Sequence, residues 1–413
     1  MAVPQRIKAL AKKEYSGVKS VVMAFSGGLD SCAIVSMFQE LGIEVTTVSV
    51  DLGQQGGNKK PQEAAKKLGT RHQSIDGKED LYLHILKGIK ANCLIDSRLN
   101  AGGLSRPLLA KYLSEVAHKE HTHAIAHGSS GVGNEQLRLE NSLRVLAPEC
   151  RILAPVRDLD MKRDETIAYA KAAKLPIDIA AASPYSVDET FWARVIRQGE
   201  IPDATQPVPE SAFSWTNSPK AAPEKGAKIE MEFLDGVPAH ATNLSTGENA
   251  SGIHVIPMLN SLGGAHAIGR IDKINDKVIG LKVREVTECP AAFLLINAHQ
   301  RLEHLVMTEK EIDAKSYVDR SWNKLVSQGF WYSRLRRWLD AFIDESQRPV
   351  DGRISFELYK GNSTLLSRSS PNALYDQRLS SRSQKGVWNQ KEARHFAKIY
   401  GLQETLAFIV ENR

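Results

Sequence analysis

The sequence predicts an α/β chain whose first part is a doubly wound, mostly parallel sheet, followed by an α+β part and a C-terminal helical arm. Three observations predict it. Short β-branched runs alternate with helix-period stretches through the first half, as in a parallel sheet covered on both faces. The composition turns rich in Pro, Ser and Ala from Pro202, and strand-like patterns recur beyond it. The chain then closes on an amphipathic stretch, NQKEARHFAKIYGLQETLAFIVENR. The expected divisions are 1–176, 177–370 and 371–413.

Taken in order, VKSVVMAF (Val18–Phe25) is a buried strand. Ile34, Met37, Phe38 and Leu41 behind it recur at helical spacing, and Gly42 stops the helix. IEVTTVSV (Ile43–Val50) is a second strand and KPQEAAKKLG (Lys60–Gly69) a second helix. SRPLLAKYLSEVAHKE (Ser105–Glu120) is a helix with Pro107 in its first turn, and THAIAH (Thr122–His127) is a strand running into a Gly-rich loop. Residues 202–227 read as a surface excursion. KIEMEFLDGVPAHATN is a hairpin turning at Asp235–Gly236, and KVIGLKVREV and RISFELYKGNSTLLSRS are strand-like.

The totals set bounds. A chain of 413 residues, 42% hydrophobic and 25% charged, is an ordinary globular protein with room for two domains. Its net charge of +6 is spread along the chain and is only a weak hint of anionic substrates or nucleic acid, and no nucleic-acid partner is expected. No apolar run has the ~20 residues of a membrane helix. Cys32, Cys93, Cys150 and Cys289 show neither metal-site nor disulfide spacing, so reduced thiols in cytoplasm are expected and no resident metal.

The chemistry concentrates at Ala24, Phe25, Ser26, Gly27, Gly28, Leu29, Asp30 and Ser31, where a strand meets a helix. Glycines let backbone approach a ligand, and the first helical N–H groups are unpaired donors at the positive end of the helix dipole. With the hydroxyls of Ser26 and Ser31, the loop is suited to a phosphate or pyrophosphate. The plainer reading makes Asp30 or Ser31 a helix cap. AHGSSGVGNEQLRLE (Ala126–Glu140) also follows a strand, so it is expected on the same edge of the sheet. Around Gly128 it offers Ser130, Asn134, Glu135 and Arg138. Other residues carry two readings each: His127 lines a pocket or packs, Arg106 holds a substrate carboxylate or is a surface cation, and Trp192, on a helix-like stretch, shapes a pocket or is core. RLRRW (Arg334–Trp338) reads as a solvated helix face.

S-G-G-x-D-S resembles the PP-loop of ATP pyrophosphatases, and no Walker-type motif is present. With VDLGQ, GGLSRPLLAKYLSEVA, LAPECRILAPVRD, PYSVDET, AIGRIDKINDKVIGLKVRE, QGFWYSRLRRW and ESQRPVDGRISFELYKG in order, the chain resembles the argininosuccinate synthase family up to about Asp376. That resemblance implies a PP-loop/HUP-like nucleotide-binding domain, a synthetase domain and a homotetramer, with ATP and Mg2+ as cofactors. It also implies a reaction: a ureido oxygen attacks the α-phosphorus, pyrophosphate leaves, and the aspartate amine displaces AMP. Ser26, Asp30 and Ser31 would be the catalytic contacts, Ala24–Ser31 and Gly128 the nucleotide contacts. Ser130, Asn134 and Glu135 stand at the amine-donor positions, and Val132 replaces a lysine. Arg138 and Ser186 match the citrulline site, but Leu99, Gly103, Val195, Asn275 and Thr287 replace polar or acidic groups there. Exchanging a carboxylate for Asn275 forfeits a charge-assisted bond worth ~1.5–3 kcal/mol. The five departures predict an aspartate-dependent ligase whose carbonyl or ureido acceptor is not citrulline. A genuine argininosuccinate synthase, a tRNA thiolase using Cys32 and a catalytically silent paralog are the alternatives.

Overall fold

The computed structural model describes residues 3–96, 98–175, 184–380 and 388–413. After α1 (Val3–Glu14), the chain alternates β1 (Ser20–Ala24), α2 (Leu29–Glu40), β2 (Glu44–Asp51), α3 (Lys59–Leu68), β3 (Arg71–Asp76) and α4 (Lys78–Lys90). A two-stranded ladder, β4 (Leu94–Ile95) and β5 (Arg98–Leu99), leads into α5 (Ala101–Lys119). Then come β6 (Ala124–Ala126), α6 (Glu135–Leu146), β7 (Arg151–Leu153), α7 (Pro155–Asp158) and α8 (Arg163–Ala172). The five parallel strands pair in the order β3-β2-β1-β6-β7, so the chain leaves β1 in one direction and returns to its other side at β6. Ligands of such sheets collect at that reversal, outside the carboxyl ends of the strands.

Alternation along β1 explains why the sheet is covered twice. Val21 and Met23 pack with Ile34, Met37 and Phe38 of α2, while Val22 packs with Leu113 and Val116 of α5 and Leu139 and Leu143 of α6. Each such buried side chain contributes about 1.5–3 kcal/mol.

Beyond residue 184 two antiparallel sheets form. β8 (Tyr185–Glu189), β9 (Arg194–Gln198), β13 (Arg270–Asp276) and β14 (Lys282–Glu288) make one, in the order β13-β14-β9-β8. β10 (Ala227–Leu234), β11 (Val237–Asn243), β12 (Asn249–Ser251), β15 (Gly352–Tyr359) and β16 (Asn362–Ser369) make the other, ordered β12-β11-β10-β15-β16. α9 (Val255–Ala265), α10 (Pro290–Val306), α11 (Glu309–Ser327) and α12 (Arg334–Ser346) complete this part. One core unites it with the first, joining Leu81, Ile85 and Ile89 of α4 and Leu104 and Leu108 of α5 to Leu294, Leu295, Trp322 and Phe356. The chain ends in α13 (Gln377–Ser380), α14 (Glu392–Tyr400) and α15 (Leu402–Glu411). No helix among the described residues is long and apolar enough to cross a membrane.

The Asp235–Gly236 turn forms as expected, with φ of 49° and 73°, the left-handed pair that matches hairpin twist. Other expectations need correction. α5 begins at Ala101, so Pro107 lies inside the helix rather than in its first turn. The helix expected from Ser105 thus starts four residues earlier and runs through Gly102 and Gly103, where Arg138 and Val326 approach too closely for side chains. Trp192 sits in the turn between β8 and β9, not on a helix, and is core at 1% exposure. KVIGLKVREV is a turn followed by a strand: Gly280 has φ +88° and Lys277 N–H donates to Leu281 O at 2.7 Å. Residues 202–227 are irregular but strapped down, since Ser214, Trp215 and Thr216 N–H groups donate to the buried Glu288 carboxylate. Arg336, within the basic run read as solvated, is buried over Trp331 and paired with Asp340.

Candidate active site

The β1–α2 loop lies where the strand order reverses. Phe25 N–H donates to Val48 O at 2.8 Å, seating the loop on β2. Gly28 is the N-cap of α2 and supplies no side chain, so neither Asp30 nor Ser31 caps the helix. The first N–H groups of α2 therefore remain directed at whatever the loop receives. Ser31 Oγ donates to Gly28 O at 2.9 Å, Gly28 N–H donates to Ser26 Oγ at 3.3 Å, and the two hydroxyls lie 3.3 Å apart. The hydroxyls thus brace the loop. Gly27 has φ +66°, and a Cβ there would lie 2.9 Å from Lys60 O; only glycine fits both conditions. Asp30 faces Arg163 at 3.3 Å. Burial raises its carboxyl, and Arg163 opposes that rise. The sequence pattern singled out neither Lys60 nor Arg163. The helix-start position of Lys60 was a usable signal, while Arg163 is distant in sequence and no local signal announces it. Cys32 is buried and its thiol pushed up to about 11, chiefly by burial, which leaves no accessible thiolate for thiolase chemistry.

The β6–α6 loop lies on the same edge, as predicted, because β6 pairs with β1. A Cβ on Gly128 would touch Ile34 of α2 at 3.4 Å, so the second loop abuts the N-terminal half of that helix. His127 is 1% exposed, with Nε2 3.4 Å from Glu140 Oε1 and Nδ1 accepting from Ser129 N–H. It is a packing histidine. Ser130 and Val132 are exposed on the loop.

Behind this edge the sheet β13-β14-β9-β8 turns one face toward α5 and α6. Ile271 pairs with Thr287, and Thr287 with Val195. Side-chain alternation then places Arg197, Lys273, Asn275 and Glu285 on that face too. Together with Arg98, Leu99, Gly102 and Arg138 these residues line a cavity. Of the substituted positions, Leu99, Val195, Asn275 and Thr287 line it and Gly103 does not, because Gly103 packs on Asn100 and Val326. Ser186 lies across from Arg197 on the exposed edge strand of the sheet.

Charge dominates the cavity wall. Glu135 accepts from Arg138 Nη1 at 3.2 Å and Arg197 Nη2 at 3.0 Å, and Arg106 Nε lies 3.4 Å away. Burial raises its carboxyl, yet the arginines and Lys277 outweigh that and hold it well below the usual range. Glu285 accepts from Arg197, from Lys277 at 2.8 Å and from Asn275 Nδ2 at 2.6 Å. Burial again opposes, but Arg197 and Lys277 bring its carboxyl to about 2. Arg106 is also bound to Asp188 at 2.5 Å, so its guanidinium is already held by two protein carboxylates and a substrate-carboxylate role is not what this structure displays. Asn134 Oδ1 accepts from Val278 N–H at 2.9 Å, while its Nδ2 and Asn275 Oδ1 are buried without partners. Residues 277 and 278, which bridge the sheet to α6 in this way, were read only as strand.

A doubly wound sheet with a glycine-loop phosphate cradle at its reversal, facing a polar cavity, defines a nucleotide-dependent α/β enzyme of PP-loop type. The comparisons say which. The Arginosuccinate synthase N-terminal HUP domain matches residues 20–176 and the Arginosuccinate synthase C-terminal domain residues 185–407. The argininosuccinate synthase of Pyrococcus furiosus is 41% identical over 94% of both chains. That of Methanopyrus kandleri is 40% identical over 94% of this chain and 98% of its own. The chain belongs to the argininosuccinate synthase family, the ATP-dependent, AMP-forming carbon–nitrogen ligases. A solved NMN synthetase of Francisella tularensis overlaps 44% of this chain and 74% of its own at a TM-score of 0.32 and 16% identity, too distant to add anything.

Proposed function

We propose that the chain adenylates the ureido or carbonyl oxygen of a small acceptor and joins the activated carbon to the amine of aspartate. In the first step the acceptor oxygen forms a bond to the α-phosphorus of ATP as the bond to pyrophosphate breaks. In the second, the aspartate nitrogen attacks the activated carbon, loses a proton and displaces AMP. The uncapped start of α2 beside Gly27 and Gly28, in a chain aligned end to end with argininosuccinate synthases, carries this reading. Backbone N–H donors aimed at the phosphates supply electrostatic stabilisation without a protein nucleophile. Asn134, Glu135 and Ser130 are the proposed contacts of aspartate. Among the described residues no cluster of three or more His, Cys, Asp or Glu could hold a metal, so Mg2+ fits as the companion of the nucleotide phosphates.

Citrulline is the acceptor that the relatives' names support. A second reading, an acceptor other than citrulline, is favoured by one observation: four of the five substituted positions line a single cavity. The decisive assay is AMP and pyrophosphate formation from ATP, aspartate and citrulline. Equimolar release at ordinary synthase rates supports the first reading; release with another ureido compound only supports the second; no release with any acceptor refutes the ligase. Exposed Phe396, Ile399, Tyr400, Phe408 and Val410 on α14 and α15 support the proposal that the arm packs against another copy in a homotetramer, which light scattering tests.

A further inference from the structure

We infer that the acceptor cavity selects a ureido compound whose far end is an oxyanion with no ammonium group beside it; this rests on the ligase reading above and on its second acceptor. The wall presents Arg98, Arg138, Arg197 and Lys273 against a single carboxylate, Glu285. That carboxylate is saturated by Arg197, Lys277 and Asn275. Glu135 behind it is saturated by arginines, and Asp188 is taken by Arg106. No carboxylate of the wall is left to receive a ligand's cation. The cations are not equally spent. Among the described residues Arg98 and Lys273 make no ion pair; Arg98 donates to the Ser327 hydroxyl alone. Burial, and then Arg138, push the guanidinium of Arg98 toward a lower affinity for its proton, opposed in part by Glu285 and Glu135 from beyond contact distance; an entering anion adds to that opposition.

A second, larger cavity of about 410 Å3 adjoins the first through Arg98, Lys273 and Asn275. It adds Lys277, Arg320 and Lys324. Its carboxylates are Asp276, bound to Lys282 at 2.6 Å, and the exposed rim residue Asp96. The two spaces form one basic recess at their shared residues, where potential from several cations adds in a confined, low-dielectric site. Asn275 is 6% exposed, and its Oδ1 is a buried acceptor without a partner. Donation from Nδ2 to Glu285 fixes which way that amide faces. Such an oxygen suits a neutral N–H of a ureido or amide group, which needs one acceptor and no countercharge.

The test uses two ligands that share a ureido group and a carboxylate and differ only in an α-ammonium: citrulline and 5-ureidopentanoate. Binding of each is measured on the full-length protein by equilibrium dialysis, with a non-hydrolysable ATP analogue present. The inference expects 5-ureidopentanoate to bind at least about tenfold more tightly than citrulline. Lys273→Gln, on a half-buried strand position, should weaken 5-ureidopentanoate by about tenfold and citrulline by less, because losing the cation also relieves repulsion of the α-ammonium. Asn275→Glu should shift the preference toward citrulline. Equal or tighter citrulline binding by the wild type overturns the inference, as does no 5-ureidopentanoate binding up to about 10 mM. AMP release in parallel samples with ATP and aspartate separates the two levels. Turnover of citrulline with the binding order reversed sinks the inference and keeps the ligase; tight 5-ureidopentanoate binding without AMP from either compound keeps the inference about the cavity and counts against adenylation of these two acceptors.

Discussion

The β1–α2 loop and the basic cavity are built by different physics. The loop uses consecutive backbone from Ser26 to Ser31, with a helix start behind it. The cavity uses side chains from β5, α5, α6, β9, β13 and β14, with buried charges set against one another. A backbone cradle tolerates little change, since its donors are the main chain itself. A side-chain cavity can be rewritten one position at a time, so at about 40% identity to relatives a cavity of this kind is freer to change than the loop.

Breaking the cavity at its hub should give the largest effect. Arg197→Gln removes the guanidinium shared by Glu135 and Glu285 and leaves two buried carboxylates short of a partner. We expect a loss of about 3–5 kcal/mol in unfolding free energy, read by denaturant titration. A loss under about 1 kcal/mol would mean that these charges are screened like surface pairs. The loop should fail differently. Gly27→Ala forces a Cβ to 2.9 Å from Lys60 O at positive φ, and AMP formation should fall by about 100-fold with every acceptor. Activity within about threefold of wild type would remove the loop from the chemistry.

A third effect, set by pH, lies in the core outside both regions. His84 of α4 stacks near Trp331 and contacts Leu104 O of α5 at 2.8 Å, within the core that joins the two parts of the chain. Burial lowers it from 6.5 to about 4, only partly opposed by the Leu104 carbonyl. Its folded value lies below its unfolded one, so the unfolded chain binds the proton more tightly and stability falls as pH drops from about 6.5 toward 4. Relative to His84→Gln, the wild type should lose about 2 kcal/mol more between pH 7 and 4.5; parallel curves would show that this imidazole stays solvated. The smallest effect is a gain. Val132→Lys places a cation on the exposed second loop, lowering KM for ATP by about threefold at low salt, with the benefit fading as salt screens it. No change in KM would place that loop away from the phosphates.

Legibility in the sequence followed the same division. The Ser26–Ser31 loop could be read because its residues are contiguous and its strand and helix flanks carry opposite periodicities. The cross-strand row Ile271–Thr287–Val195 could not, because pairing between strands separated by a whole helix leaves no local pattern. The resemblance supplied those positions instead. It placed Gly103 in the cavity, where the structure packs it on Val326. The start of α5 is not legible because Gly102 and Gly103 disfavour helix by propensity, while the close approach of Arg138 leaves room for no side chain at Gly102. Trp192 was rightly weighed as core but on the wrong element, since FWARV carries helical as well as strand spacing. α10 and α11 were not read at all, although Trp322 and Leu294 anchor the main core.

By itself the sequence determined the parallel half of the fold, the place of the Ser26–Ser31 glycine loop and the family, because each rests on short-range periodicity or on contiguous residues. Tertiary structure alone decided that Arg106 is consumed by Asp188 and Glu135, and that Arg98 and Lys273 are not consumed by any carboxylate among the described residues. Charge balance in a buried recess is a sum over distant segments, and only folding brings its members together.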